Sequence, residues 1–313
     1  MALSSAKFSA LTTAGGCLKL GGRAKWRLVG ADRQRYLNGQ ITNDVRKAKA
    51  DATLYACVTN AKGRMEGDVY VRSSTGAEGP LWLDAEAELR ESLGLRLEKY
   101  VVADDVEIQD VTDEWLLWHF FGPAATQVDA TALPEGAVAV RSFRLASEGL
   151  DVWLPSSAAA LDFTGGAEVL TDEEYEQWRI IEGVPRWPRE LNGEIFPQEA
   201  GLEDRVMDFF KGCYIGQEIL SRIKSTGKMP HRLVRFTAAG PLPSDAVLQD
   251  ARLYAPGQEP AKELGRVTSA CPHPALDRWV GLAYVRQGVE ATHSRLLAGH
   301  ALNSIFTELE INP

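Results

Sequence analysis

Residues 211–218 read Lys-Gly-Cys-Tyr-Ile-Gly-Gln-Glu and stand directly before an amphipathic stretch. A thiol held at a glycine turn, close to a lysine and to a helix N-terminus, has physical reasons to carry a lowered pKa and to react as thiolate. Cys213 is therefore a candidate functional thiol, with Lys211 as its neighbouring cation. The alternative is a small buried residue at a tight turn, because free cysteine is among the most commonly buried residue types.

Positive charge follows this octad along the chain. Residues 211–235 hold six Lys or Arg and one acid, Glu218, whereas the whole chain of 313 residues has a net charge of −9. The overall balance argues against a protein whose main task is to coat nucleic acid or an anionic membrane, so we expect neither as a direct partner. The local excess is typical of a solvated surface, but in an acidic chain it could equally receive a small polyanion.

Cysteine spacing limits the possible metal sites and compartments. The chain has four cysteines without any Cys-x-x-Cys pair, at Cys17, Cys57, Cys213 and Cys271. Such wide separation suits a reducing compartment and argues against a zinc finger or a ferredoxin-type cluster site, so no metal site is predicted. The chain also lacks an apolar run of about eighteen residues and a leader-like N-terminus, which predicts a cytoplasmic protein.

Turn signals and apolar spacing predict the order of elements upstream of the octad. Apolar alternation on both sides of Gly21-Gly22 predicts one hairpin, and the turn at residues 60–63 predicts a second. Leucines four residues apart predict an amphipathic helix over residues 84–100. The sequence Thr-Asp-Glu-Glu from Thr171 is a capping box that predicts a helix start.

Downstream of the octad the texture of the sequence changes. From Leu233 onward, short apolar segments alternate with Gly, Pro and Asp, and one of the predicted strands covers residues 304–309. Several short strands at this spacing predict a small β-barrel. We therefore expect two units, residues 1–230 and residues 231–313.

The octad resembles the signature of the YgfZ family, folate-binding relatives of the glycine-cleavage T-protein that support iron–sulfur cluster enzymes. A match of eight residues with this composition is far more specific than a lone glycine pattern. Further family-like stretches follow one another in the expected order and cover nearly the whole chain: Gly30-Ala-Asp-Arg33, Tyr36-Leu37, Thr42-Asn43-Asp44, Asn60-Ala-Lys-Gly-Arg-Met-Glu-Gly-Asp68, Ile195-Phe-Pro-Gln-Glu199, Arg222, Gly227, Arg232 and Gly265-Arg-Val-Thr-Ser269.

The resemblance implies an α+β, T-protein-like cloverleaf of three domains. Two interwoven α+β subdomains would form the folate-binding core in residues 1–230, and residues 231–313 would form the C-terminal β-barrel. A central pocket would take tetrahydrofolate as the cofactor. The partners implied are a folate and iron–sulfur client enzymes, including enzymes that modify transfer RNA.

Folate makes definite demands on its binding residues. A carboxylate can accept the ring N–H and the exocyclic amine of the pterin together, and the glutamate tail requires arginine or lysine. Glu182, in Arg179-Ile-Ile-Glu-Gly183, stands one position later than the pterin-binding glutamate of the T-protein, which turns a helical side chain by about 100°. The alternative for Glu182 is a solvent-facing helix acid.

The remaining folate candidates lie in or after the octad. Arg222 and Arg232 are candidates for the tail, although most arginines lie on surfaces anyway. The resemblance places the octad on the wall of the folate pocket, which adds Tyr214, Gln217 and Glu218 to the candidate cofactor-binding residues.

Asp68 bears on the choice between transferase and accessory protein. The T-protein has an Asp-Asp pair at this hairpin, whereas this chain has Gly67-Asp68 and retains only the second acid. One carboxylate could still act as a base or an electrostatic stabiliser. A thiolate at Cys213 could attack a one-carbon adduct, ligate iron transiently or form a mixed disulfide.

Three functional hypotheses follow from these residues. The first is a tetrahydrofolate-binding accessory protein for iron–sulfur cluster assembly, repair or protection that uses Cys213. The second is a folate-dependent aminomethyl or methyl transferase that depends on Asp68. The third is a binding protein that docks a client on the basic surface of residues 211–235.

Overall fold

The computed structural model describes residues 2–76, 78–158, 164–240, 248–257, 262–299 and 307–312. Its strands are β1 (Gly16–Lys19), β2 (Ala24–Val29), β3 (Leu54–Thr59), β4 (Met65–Ser73), β5 (Leu81–Ala85), β6 (Glu107–Asp110), β7 (Trp115–Phe121), β8 (Val138–Ser142), β9 (Gly149–Pro155), β10 (Val169–Leu170), β11 (His231–Ala239), β12 (Arg252–Tyr254), β13 (Glu263–Pro272), β14 (Arg278–Arg286), β15 (Arg295–Gly299) and β16 (Thr307–Asn312). Its α-helices are α1 (Ser5–Ala14), α2 (Arg33–Gln40), α3 (Arg90–Glu98), α4 (Pro123–Gln127), α5 (Asp172–Glu182), α6 (Glu203–Val206), α7 (Gln217–Thr226) and α8 (Val289–Thr292).

The strands form three β units. The β1 sheet has the strand order β10-β1-β7-β9-β8, and the β2 sheet has the order β3-β4-β5-β2-β6. Strands β11 to β16 close into a barrel with the order β11-β14-β13-β12-β15-β16. The predicted α+β fold with a C-terminal β-barrel is therefore confirmed.

The β3–β4 hairpin forms as its turn sequence predicts. Asn60 Oδ1 accepts hydrogen bonds from the backbone N–H groups of Lys62 and Arg64, at 2.9 and 3.2 Å. Gly63 takes a φ of +74°, which an L side chain rarely adopts. The register then places Tyr55 opposite Tyr70 and Cys57 opposite Asp68. Tyr55, Cys57, Asp68 and Tyr70 thus project from one face of the hairpin, because side chains alternate along a strand.

The hairpin predicted around Gly21-Gly22 is wrong. Strand β1 pairs with β7 and β10, whereas β2 pairs with β5 and β6, so the glycines connect two different sheets. Local alternation predicts which face of a strand is buried, but it does not choose the partner strand. Here each strand pairs with a distant apolar strand rather than with its neighbour in sequence.

The helix predicted over residues 84–100 is shorter in the structure. Its first residues complete the buried strand β5, a 3-10 turn follows at Ala87–Leu89, and α3 then runs over Arg90–Glu98. Leu89, Leu93 and Leu97 are buried as their spacing predicts. The strand takes residues 84 and 85 because Leu81 and Leu83 bury their side chains in the β2 sheet.

Helix α5 begins as predicted. The Thr171 hydroxyl accepts from the backbone N–H of Glu174, and the Glu174 carboxylate accepts from the N–H of Thr171. Gly183 ends the helix in the left-handed conformation, with a φ of +78°. The helix places Glu182 in its last turn, facing the β1 sheet.

The barrel strands run from His231 to Asn312. Strand β15 was not predicted, and residues 304–306 of the last predicted strand lie outside the described residues. The division into units of residues 1–230 and 231–313 stays a prediction.

Buried polar contacts tie the three units together. Arg144 Nη2 lies 2.8 Å from Asp84 Oδ2 in the β2 sheet and 2.8 Å from Asp151 Oδ2 in the β1 sheet. The carboxylate of Glu190, in the segment after α5, accepts the hydroxyl of Ser269 from the barrel at 2.6 Å. The candidate site lies where these units meet.

Candidate functional site

A small cavity lies beside the β3–β4 hairpin, and we call it the polar cavity. Its volume is about 30 Å³, which is room for about one water molecule. It is lined by Leu20, Arg23, Tyr55, Asp68, Tyr70, Glu86, Arg144, Tyr175, Val184, Pro185, Arg186, Leu202 and Arg205. Residues of the β3–β4 hairpin, of α5 and of the segment after α5 therefore meet in its wall.

Asp68 is the buried aspartate of this wall. It is 6% exposed, its Oδ2 accepts the Tyr55 hydroxyl at 2.9 Å, and its Oδ1 has no partner among the described residues. Burial raises the pKa of Asp68 to about 6, although the nearby Arg23 guanidinium opposes this effect. A buried carboxylate oxygen without a donor is costly unless something binds there. Asp68 can therefore accept an N–H from a ligand, or take a proton near neutral pH.

A larger cavity adjoins the polar cavity, and we call it the aromatic cavity. Its volume is about 440 Å³, and it shares Tyr55, Tyr70 and Arg205 with the polar cavity. The two tyrosine rings stack at a centroid distance of 4.5 Å. Thr53, Leu54, Phe143 and Ala146 complete its lining. The two adjoining cavities therefore share two stacked aromatic side chains, close to the buried carboxylate of Asp68.

Arg205 provides positive charge at the junction of the two cavities. Its guanidinium carbon lies 5.3 Å from the centroid of the Tyr55 ring, and its Nη2 donates to the carbonyl of Phe143. Within the part of the chain that the structure describes, no acid forms an ion pair with Arg205. The Arg205 charge is therefore available to an anionic group of a ligand.

Arg23 and Arg186 differ from Arg205, because their charges are already compensated. Glu86 pairs with Arg23 at 2.8 Å and with Arg186 at 3.2 Å. All three side chains also line the polar cavity. They restrict how far a ligand can extend beside them.

Glu182 lies beside the aromatic cavity rather than out in solvent. Its Oε1 accepts the indole N–H of Trp178, and its Oε2 accepts the backbone N–H of Ala146, both at 2.9 Å. Burial raises the pKa of Glu182. Ala146 belongs to the lining of the aromatic cavity, so Glu182 is one residue removed from it.

Cys213 lies on a surface loop, residues 208–216, which we call the Cys213 loop. Of the four cysteines, all within the described residues, Cys213 is exposed and Cys17, Cys57 and Cys271 are buried. Cys213 lines neither the polar nor the aromatic cavity.

Lys211 holds the Cys213 loop from inside the protein. Its Nζ donates to the carbonyls of Asn38, Ile41 and Asn43 at 2.6, 2.7 and 2.7 Å, which uses all the donors of an ammonium group. Burial lowers the pKa of Lys211 to about 8. The ammonium therefore points toward the chain around α2 and is committed to three backbone oxygens.

The other candidates of the octad and of α7 lie apart from Asp68. Tyr214 is buried beside Lys211, with the ammonium 5.0 Å from its ring centroid, and burial raises its pKa. Glu218 and Arg222 pair with each other on the exposed side of α7 at 3.1 Å. Gln217 and Arg232 also line neither cavity. The structure thus brings Asp68 to the cavities, Glu182 to their edge, and the octad residues to a separate surface.

Sequence reasoning missed the two tyrosines and Arg205. The predicted hairpin contained the signal for the tyrosines, because its register sets Tyr55 opposite Tyr70 on the face that carries Asp68. Arg205 gave no such signal, since it lies on the short helix α6 between segments without clear periodicity. No group of acids, cysteines and histidines suited to a metal ion occurs within the described ranges.

Comparison with known proteins agrees with this geometry. The model of the GCVT N-terminal domain matches residues 3–147. The crystal structure of glycine cleavage system aminomethyltransferase T from Bartonella henselae superimposes with a TM-score of 0.78 at 16% identity, covering 95% of this chain and 85% of that chain. The fold is therefore T-protein-like.

Two curated relatives are similar in sequence. The iron-sulfur cluster assembly factor IBA57 homolog, mitochondrial, of Mycosarcoma maydis is 28% identical over 282 residues, which are 82% of this chain and 67% of that protein. The tRNA-modifying protein YgfZ of Escherichia coli O7:K1 is 29% identical over 214 residues, which are 64% of this chain and 65% of that protein. The chain is therefore similar to proteins of the YgfZ family and has the fold of the glycine-cleavage T-protein. Among the described residues, no helix combines the length and apolar character needed to cross a bilayer.

Proposed function

We propose that this protein binds tetrahydrofolate and acts as an accessory protein in iron–sulfur cluster assembly, repair or protection. Its clients would include enzymes that modify transfer RNA. The observation that carries the folate assignment is Asp68, a buried carboxylate with one oxygen unpaired, beside two stacked tyrosines. The relatives named for cluster assembly and for transfer-RNA modification support the role.

The described residues fit the chemistry of a folate. Asp68 Oδ1 can accept a ring N–H, the tyrosine side chains can contact a bicyclic ring, and Arg205 can pair with a carboxylate of the glutamate tail. Bound tetrahydrofolate would supply a carrier for one-carbon units. Glu182, beside the aromatic cavity, remains a second candidate for the pterin, as the family resemblance predicts.

We further propose that Cys213 is the functional thiol of this protein. It is the exposed cysteine, and the contacts of Lys211 hold its loop without covering it. Lys211 would position the loop rather than act on the thiol, because its three donors are occupied. Gln217, Glu218, Arg222 and Arg232 stay predictions as folate ligands, and they would serve a client surface equally well.

The folate assignment is tested by titration with 5-formyltetrahydrofolate, a stable reduced folate, followed by tryptophan fluorescence. Asp68→Asn and Arg205→Met should each weaken binding about tenfold or more, because each removes a charge-assisted contact. Arg252→Met, which removes an exposed arginine paired with Glu263 on the barrel, is the matched control and should bind as the natural sequence does. Equal affinities for all four proteins would contradict the assignment.

The cluster role is tested in a strain that lacks the gene. Restoring the natural sequence should recover the activity of iron–sulfur enzymes, and Cys213→Ala at equal protein level should not. Full rescue by the alanine variant would rule out the thiol part and leave folate binding untouched. The two halves of the proposal therefore fail separately.

A second candidate function is a folate-dependent one-carbon transferase. The observation that favours it is the pKa of Asp68, raised by burial to about 6, since a base works best near the ambient pH. Transfer of a methyl or methylene group from an amine donor to tetrahydrofolate should then depend on Asp68. Transfer that persists in Asp68→Asn would exclude this role for the carboxylate.

A further inference from the structure

Asn43 lies between the cavities and the Cys213 loop. It is 7% exposed, and its side-chain Nδ2 donates to the carbonyls of Tyr55 and Arg205 at 2.9 and 3.3 Å. Its own backbone carbonyl accepts Lys211 Nζ at 2.7 Å. A single residue therefore bonds to two residues that line both cavities and to the lysine that anchors the loop.

Thr42, the neighbour of Asn43, also bonds both to β3 and to the Cys213 loop. The Thr42 hydroxyl accepts the backbone N–H of Cys57 at 2.9 Å and donates to the carbonyl of Val206. The carbonyl of Thr42 accepts the N–H of Asp208, the first residue of the Cys213 loop, at 3.1 Å. The segment between α2 and β3 thus bonds to β3, to the end of α6 and to the loop.

Ligand entry must move the residues that Asn43 holds. The polar cavity has a volume of about 30 Å³, so a bicyclic ring in contact with Asp68 has to displace part of its wall. Tyr55 and Arg205 line both that cavity and the larger aromatic one. Any shift of their backbones changes the two hydrogen bonds that Asn43 donates, and closely packed interiors transmit such shifts.

We infer that Asn43 is a positioning residue that couples ligand binding in the cavities to the Cys213 loop. The inference rests on the folate binding proposed above. A folate that contacts Asp68 and Arg205 fixes the hydrogen bonds of Asn43. Because Lys211 bonds to the Asn43 carbonyl, residues 208–213 then become more ordered as well. Cys213 then reports on the state of the cavities although it lines neither of them.

The test uses Cys213 itself as the reporter, because the other three cysteines are buried. The rate of alkylation by iodoacetamide is measured with and without saturating 5-formyltetrahydrofolate. Folate should slow alkylation of the natural sequence at least about fivefold, the lower end of typical coupling between sites. Asn43→Ala should bind folate yet show rates within about twofold of each other with and without it. Asn192→Ala, which removes an asparagine whose side chain accepts one local hydrogen bond, should keep the fivefold effect.

The outcomes separate this inference from the proposed function. Absence of folate binding to the natural sequence would overturn both. Binding with an unchanged alkylation rate would overturn the coupling alone, and a fivefold effect that survives in Asn43→Ala would overturn the assignment to Asn43.

A second measurement covers the case in which Asn43→Ala does not fold. Hydrogen exchange on the natural sequence should show that folate protects the backbone N–H groups of Asp208 and Ile215, which bond to Thr42 and Gly39. Protection should rise at least about fivefold there and stay unchanged at the barrel pair of β15 and β16. Equal exchange with and without folate at Asp208 and Ile215 would overturn the coupling.

Discussion

Asp68 and Lys211 are both buried ions whose pKa values burial moves toward the neutral form, to about 6 and about 8. They differ in what surrounds the charge. Lys211 donates to three carbonyls, whereas Asp68 has a hydroxyl on one oxygen and no partner on the other among the described residues. Lys211 therefore has no capacity left for a ligand, and Asp68 does.

The contrast between Asp68 and Lys211 indicates which of the two buried ions can bind a ligand. Natural proteins pair nearly all buried polar groups, so an unpaired one marks a place where stability is given up for function. A fully paired buried ion marks a structural anchor instead. For these two ions, the criterion makes Asp68 the group that can bind a ligand and Lys211 the anchor of a loop that exposes a thiol.

Removing Lys211, the anchor of the Cys213 loop, should have the largest effect on stability. Lys211→Met keeps the length of the side chain but leaves three backbone carbonyls without their donor. At about 1–3 kcal/mol for each unsatisfied buried group, less the relief of not burying a charge, we expect a loss of about 3 kcal/mol in the free energy of unfolding. Urea denaturation measures it.

Lys224→Met is the matched control for this substitution. Lys224 pairs with Glu203 at 2.6 Å on the surface, and such pairs contribute about 0–1 kcal/mol. A loss below about 1 kcal/mol for Lys211→Met would show that the lysine is not the anchor.

Asp68→Asn should move stability in the opposite direction. Because the folded-state pKa of Asp68 is raised to about 6 from 3.8, the folded protein binds the proton more tightly than the unfolded chain. That stabilising contribution is full below about pH 4 and is lost as the pH rises through about 6. The neutral amide avoids the loss, so the variant should gain about 1–2 kcal/mol at pH 8 while it loses folate affinity. Urea denaturation at pH 4 and pH 8 checks the sign.

Asp151→Asn provides the control of opposite sign. Although burial alone would raise the pKa of Asp151, Arg144 and His119 lower it to about 2. Asparagine there leaves Arg144 with less compensation and should destabilise the protein at pH 8. If Asp68→Asn also destabilises it at pH 8, Asp68 is a structural carboxylate.

The sequence predicted the parts of the fold whose signals are local. The turn at residues 60–63, the capping box at Thr171 and the short strands after Leu233 each carry their own turn or cap chemistry, and each element formed. The Gly21-Gly22 hairpin failed because the glycines mark a turn without specifying its partners. Strand pairing over a hundred residues depends on which apolar faces meet, and spacing does not encode that.

The residues of the candidate site also divide into those that a local signal predicts and those that it does not. Asp68 followed from its hairpin, and the hairpin register would have added Tyr55 and Tyr70. Placing the octad on the pocket wall rested on resemblance, and the structure puts Cys213 on a loop that lines neither cavity. Nothing in the sequence tells that Lys211 turns inward, since that depends on the carbonyls that α2 and its following turn present.

We expect Cys213→Ala to change stability least among these substitutions, although Cys213 is the proposed functional thiol. Cys213→Ala removes an exposed side chain that packs against little, so the free energy of unfolding should change by less than about 0.5 kcal/mol. The affinity for folate should also stay unchanged, because the thiol lines neither cavity. Denaturation and titration of the purified variant measure both. A variant that folds and binds folate normally, yet fails to restore iron–sulfur enzymes, would separate the thiol from the cavities in function as in space. A large loss of stability would instead make Cys213 part of the anchor, and the contrast between loop and cavity would not hold.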